Sequence, residues 1–217
     1  AIAYPVTVTL QCLGTASVAG YSASFAASAP ADSYWELAAT AAPDRPDVLY
    51  AHGMVLPQTV ERAVCNDTAL VSVMYSNNEI GTINPIADLA EIARANNILF
   101  HTDAVQAAAY LDVNVQKLGV DLMSLGGHKF YGPKGVGALY VRKGTNLVPH
   151  LTGGGQEYNL RAGTQNVPYI VGFAEALRLA AEEREARTAH VQPLRDQIIG
   201  RVLEEISDSK LTGHPEQ

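Results

Sequence analysis

The chain has 217 residues and carries 22 acidic against 15 basic side chains, a formal net charge of −7. That length suits one domain or one and a fraction, and an acidic balance with no block of Lys or Arg argues against nucleic acid and an anionic membrane surface as partners. Two cysteines, Cys12 and Cys65, cannot build a disulfide framework or a metal site between them, which is the usage expected of a reduced, cytoplasmic protein without a metal.

Residues 1–44 hold thirteen Ala, five Ser and no Lys or Arg. A secretory signal needs a basic start before its apolar core, so this segment reads as neither a signal nor an assignable domain. The chain starts at Ala1 rather than Met, as processing or truncation would leave it. From Asp47 onward short apolar runs alternate with amphipathic helices, the order of a parallel α/β sheet. PQTVERAVC predicts a helix over 57–65, and ALVSVMY predicts a strand over 69–75 that is buried on both faces. The polar turn SNNEIGTIN follows. Asn84 and Pro85 read as the N-cap and first residue of a helix ending near Asn97, with Ile86, Leu89, Ala90 and Ala93 on one face. A strand over 98–101 leads to Asp103, which opens a short helix over AVQAAAY. A further strand begins at 121–124, GGHKFYGPKG is a glycine-punctuated loop, and 136–141 is the next strand. A long helix begins at Pro168, with Ile170, Phe173, Ala174, Leu177 and Ala181 as its buried stripe. Glu183 and Arg187 form its exposed i, i+4 pair, and Pro193 restarts it as a second piece.

In open α/β sheets ligands bind beyond the carboxyl ends of the strands, so the first polar residues after each strand are the candidates. These are Asn77 and Asn78, Asp103, and His128 with Lys129. Asn78, Asp103 and Lys129 follow one another at intervals of 25 and 26 residues, about one βα unit each, which lets all three converge on one rim. Amide, carboxylate, imidazole and amine on one rim suit pyridoxal phosphate, whose aldehyde takes a lysine and whose ring nitrogen takes an acid. Asp103 and Gln106 also have the D-x-x-Q spacing of a capping box, which stabilises a helix start with no ligand.

The segments SVMYSNNEIGTINPI, HTDAVQ, DLMSLGGHKFYGPKGVGALYVRK and GGGQEYNLRAGTQNV, in unbroken order over 47–217, resemble the class V aminotransferase family and within it the NifS-type cysteine desulfurases. The resemblance implies an α/β chain of the type I fold of pyridoxal-phosphate-dependent transferases, a mostly parallel sheet flanked by helices. Residues 45–166 would form part of its large domain, and 167–217 the connecting helices and the start of a small domain. It implies a homodimer that turns L-cysteine into L-alanine and passes the sulfur to an acceptor protein for iron–sulfur cluster or thio-cofactor assembly. By the same resemblance Lys129 is the Schiff-base lysine, Asp103 the partner of the ring nitrogen and Gln106 the partner of the phenolic oxygen. Asn78 stands near that oxygen and the substrate carboxylate, His128 on the phosphate side, and Thr164 reaches the phosphate of the neighbouring subunit. Arg161 lines the substrate entrance or is structural. Asn77 is a turn residue and His101 is structural.

Three departures stand against these matches. The family's hydroxyl residue three positions before the lysine is Gly126 here, which removes one phosphate contact. Residues 1–44 show neither the family's Gly-Thr phosphate loop nor its ring-stacking histidine. The family's nucleophilic cysteine lies on a loop downstream of R-x-G-T, and neither Cys12 nor Cys65 matches it; both read as small buried or half-buried residues. The residues therefore leave open a desulfurase segment lacking its nucleophile, another class V activity such as a selenocysteine lyase or a transaminase, and a non-catalytic or partner-dependent segment.

Overall fold

The computed structural model describes residues 6–12, 23–25, 34–39, 53–66 and 68–216, with side chains from residue 53 onward. The side chain of Cys12, like every side chain of 1–44, and the backbone of that segment outside 6–12, 23–25 and 34–39 lie outside the described residues. Three strands within that segment, Val6–Cys12 (β1), Ala23–Phe25 (β2) and Tyr34–Ala39 (β3), join the sheet, a contribution that the composition did not reveal. They pair antiparallel with one another, and β1 runs antiparallel to Thr68–Met74 (β4).

The centre of the sheet is parallel, as expected. Leu99–Asp103 (β5) lies beside β4, Leu122–Gly126 (β6) lies beside β5, and Gly137–Val141 (β7) closes the order as an antiparallel neighbour of β6. Among the described residues the sheet has seven strands in the order β2-β3-β1-β4-β5-β6-β7.

Register divides the central strands into two faces, because successive side chains of a strand point to opposite sides. Val71 pairs with Phe100, and Val73 with Thr102, which in turn pairs with Met123; all five are buried. Against them pack Pro57–Ala63 (α1) through Val60, and Ile86–Ala95 (α2) through Ile86, Leu89, Ala90 and Ala93. The opposite face carries Ser72, Met74, His101, Asp103 and Ser124, all half-buried. Burial on both faces, expected for β4, is therefore found on one only.

Asn84 is not the cap of α2. Pro85 holds that position, and the Asn84 side chain is spent on tertiary bonds, accepting from the Val55 N–H at 2.7 Å and donating to the Met74 carbonyl at 2.8 Å. A short helix unread in the sequence, Val115–Leu118 (α3), is capped by Asn114 and stopped by Gly119 in the left-handed region at φ 70°.

Val167–Glu205 (α4) is one continuous 39-residue helix with Pro193 inside it, so the proline does not divide it. Its inner face is shifted from the expected stripe: Phe173 and Ala180 are buried and Ala176 and Leu177 pack on the core, while Ile170, Ala174 and Ala181 are exposed. Glu183 and Arg187 do pair at 2.9 Å, but Arg187 is tucked inward. Its guanidinium donates to the Ala109 carbonyl at 3.0 Å and lies 5.1 Å from the centre of the Tyr131 ring. Cys65 is exposed rather than buried, with its thiol 3.2 Å from the Thr68 hydroxyl.

Candidate functional site

The carboxyl ends of β5 and β6 form one rim. Asp103 ends β5, with Met74 on one side of it and Ser124 on the other. The next residue still belongs to the sheet's register, because the Ala104 N–H donates to the Ser124 carbonyl at 3.0 Å. Residues 105–110 then form a run of turns instead of the helix expected over AVQAAAY, with the Ala104 carbonyl accepting from the N–H groups of Ala107 at 3.1 Å and Ala108 at 3.2 Å. Asp103 Oδ1 accepts from the Val105 N–H at 2.9 Å, a one-oxygen turn bond rather than a reciprocal capping box. Among the described residues no hydrogen bond occupies its other oxygen. Gln106 is half-buried in the same turn.

After β6 the chain makes a 3-10 turn over Gly127–Phe130. The glycine pair is a steric requirement. A Cβ on Gly127 would come within 3.0 Å of the Phe173 ring and 3.1 Å of the Val136 carbonyl. Phe130 is buried edge-on against Phe173, with ring centres 5.1 Å apart, and this anchor leaves His128 and Lys129 on the exposed side of the turn. A Cβ on Gly126 would lie 3.1 Å from Val105 Cγ1 and 3.6 Å from His128 Cε1. The turn that follows Asp103 and the turn that carries Lys129 therefore meet at Gly126, where valine methyls stand against the place of the absent hydroxyl.

Asn78 sits on the adjoining turn after β4 and is exposed. Asn77 is the turn residue expected, its Oδ1 accepting from the N–H groups of Glu79 at 2.8 Å and Ile80 at 3.0 Å. The Tyr75 N–H donates to the Asp103 carbonyl at 2.8 Å, which ties this turn to the same rim. Thr164 is exposed on the segment preceding α4, and no hydrogen bond joins it to the rim. The Arg161 guanidinium donates to the carbonyl of its neighbour Ala162 at 3.0 Å.

One feature of the polar face escaped the sequence reading. His101 Nδ1 hydrogen-bonds Ser72 Oγ at 2.6 Å across to β4, and its Nε2 hydrogen-bonds Ser124 Oγ at 2.9 Å across to β6. Burial pushes this imidazole below its ordinary value, and the Asp103 carboxylate pulls it part of the way back. The signal was available as a polar residue on the same face of each strand, with Ser72 level with His101 and Ser124 level with Asp103. It becomes legible only once register is known.

As a donor set, a carboxylate with one oxygen open, an amide and an amine on one rim fit pyridoxal phosphate: the carboxylate suits its protonated ring nitrogen and the amine its aldehyde. Gly126 offers no side chain to its phosphate. Among the described residues no group of three or more His, Cys, Asp or Glu could hold a metal ion, and no helix is long and apolar enough to cross a membrane.

Comparison with known proteins bears on the family and the fold. A cysteine desulfurase IscS from Methanosarcina thermophila is 51% identical over 166 residues, 76% of this chain and 41% of that protein. A solved NifS-like protein superposes with a TM-score of 0.67 at 44% identity, covering 70% of this chain and 42% of its own. A structure described as SspA in complex with cysteine matches at a TM-score of 0.57 and 47% identity over 59% of this chain and 38% of that one. The chain thus spans about 41% of the length of the first curated relatives it matches. The family model for aminotransferase class V matches residues 45–217, and the chain belongs to that family, with the type I fold of its NifS-like neighbours.

Proposed function

We propose that this chain carries the Asp103–Lys129 rim of a pyridoxal-phosphate-dependent cysteine desulfurase, which converts L-cysteine to L-alanine and hands the sulfur to an acceptor protein for iron–sulfur cluster or thio-cofactor assembly. The observation that carries the reading is the meeting of the Asp103 and Lys129 turns at Gly126. The likeness to cysteine desulfurases and to a neighbour described with cysteine supports the substrate. On the same reading the whole protein is a cytoplasmic homodimer, with 45–166 as part of the large domain and 167–217 leading into the small one.

When bound, the cofactor supplies an electron sink for the bonds around the amino-acid α-carbon. Asp103 holds the ring nitrogen in its protonated form through the carboxylate oxygen that the Val105 N–H leaves open. Lys129 Nζ would hold the cofactor through its aldehyde and would serve as the base for the substrate α-proton. Gln106 and Asn78 orient the phenolic oxygen, Asn78 also orients the substrate carboxylate, His128 faces the phosphate, and Thr164 serves the phosphate of the partner subunit. The sulfur-carrying thiol is assigned to no residue of this chain.

The test is to add pyridoxal phosphate to the purified chain, follow the yellow covalent adduct, and fix it with borohydride for mass mapping. The expected result is a label on Lys129 that Lys129→Ala abolishes. No adduct, or equal labelling of Lys129→Ala, would overturn the reading. These 217 residues alone are expected to release little sulfide from L-cysteine.

A further inference from the structure

We propose that His101 is a positioning residue of the cofactor rim: hydrogen-bonded sideways to Ser72 and Ser124, it forms a polar layer beneath Asp103 and keeps that carboxylate available to a cationic ring. The inference rests on the cofactor reading above.

The geometry comes from register. His101 and Asp103 are two residues apart on β5 and so share a face of the sheet, with the imidazole one level below the carboxylate. Ser72 is the direct partner of His101 on β4, and Ser124 is paired with Asp103 on β6. The ladder at 2.6 Å and 2.9 Å therefore crosses all three parallel strands.

A neutral imidazole has one donor nitrogen and one acceptor nitrogen, and a serine hydroxyl can play either part, so the two serines satisfy the ring completely. Neither nitrogen is left to turn toward Asp103. The consequence is chemical. A half-buried histidine next to a carboxylate would ordinarily pair with it, gain a proton and cancel its charge. Here the ring is held edgewise along the sheet, and its burial favours the uncharged form. Asp103 then meets one backbone N–H and keeps its second oxygen open.

The charged groups around the imidazole are few. On β5 the neighbour is Asp103, on β4 the residues of this face are Leu70, Ser72 and Met74, and on β6 they are Leu122, Ser124 and Gly126. Asp103 is the single group among the described residues whose charge moves the His101 proton equilibrium. The coupling is reciprocal, so a proton on His101 weakens the hold of Asp103 on any other cation.

The experiment uses the full chain, with and without pyridoxal phosphate. Long-range 1H–15N spectra of the apo chain are expected to show His101 as one neutral tautomer at pH 7, and Ser72→Ala to change it. Titration of pyridoxal phosphate, read by absorbance, is expected to give His101→Leu about tenfold weaker binding, the scale on which hydrogen-bonded supports behind a ligating group tune affinity. His101→Gln, which keeps one donor and one acceptor, is expected to recover most of it at a melting temperature equal to that of His101→Leu. An imidazolium at pH 7, unchanged affinity in His101→Leu, or a loss that follows melting temperature and is not restored by glutamine would overturn the proposal. A wild type that forms no adduct overturns the cofactor reading and this proposal with it, whereas a normal adduct with equal affinities overturns this proposal alone.

Discussion

The two faces of the central sheet are built from the same three strands and do opposite work. One level of register gives Val71, Val73, Phe100, Thr102 and Met123, closed over by α1 and α2. The next gives Ser72, Met74, His101, Asp103 and Ser124, half-buried and hydrogen-bonded across the strands. The first face converts apolar area into stability, while the second holds polar groups in fixed positions and contributes less to folding. A one-residue slip of β5 would exchange the two, placing Asp103 in the core, so the apolar face also fixes where the chemistry stands.

Substitutions can break that comparison. The largest effect is expected on the apolar face: Phe100→Ala should cost about 3–5 kcal/mol in chemical denaturation, as truncation of a buried aromatic ring does. Asn84→Ala should cost about 2 kcal/mol, because it leaves the buried Val55 N–H and the Met74 carbonyl without their partner. At the rim, Gly126→Ala should cost about 1 kcal/mol through the 3.1 Å approach to Val105, and Val105→Ala in the same chain should relieve it; a double-mutant cycle reads the coupling. On the polar face Asp103→Asn keeps the oxygen that takes the Val105 N–H, so unfolding should shift by under about 0.5 kcal/mol while pyridoxal phosphate binding is lost. An equal loss of stability from Asp103→Asn and Phe100→Ala would end the division of labour.

The smallest effect is a pH dependence. His101 has its folded value below the ordinary one of about 6.5, so below that pH the unfolded chain takes up a proton that the folded chain refuses. Its contribution is complete above about pH 6.5 and is lost as pH falls from there through the folded value. Denaturation curves at pH 8, 6 and 5 should show this loss in the wild type and not in His101→Gln.

Much of this was legible in the sequence, and the failures have a common cause. The parallel strands, α2 and the start of α4 were read from apolar runs and turn residues, which are local signals. Asn84, Pro193 and Arg187 were misread where tertiary contacts override local preference. Asn84 had better partners than a helix end, Pro193 is accommodated within a continuous helix, and Arg187 found a carbonyl and a ring. AVQAAAY has helical composition, yet residues 105–110 turn without completing a helix. The residue types on the rim were readable from their spacing. The Ser72–His101–Ser124 ladder was not, because its members lie far apart in sequence and meet only through register.

The tail beyond α4 returns to the turn that carries Asn78. The His214 N–H donates to Thr82 Oγ1 at 3.0 Å across a separation of 132 residues, and Gly213 is packed so closely that a Cβ there would collide with the Ile80 carbonyl. With Phe173 docked in its second turn and Arg187 docked at its middle, the 39-residue helix is moored along its first half and again through the tail beyond its end. Fraying of its distal half, whose apolar residues Leu194, Ile198 and Val202 face solvent, is therefore tied to release of the tail. The exchange rate of the His214 amide should rise and fall with those of the last helical turns, making one proton a clock for the opening of a distant segment.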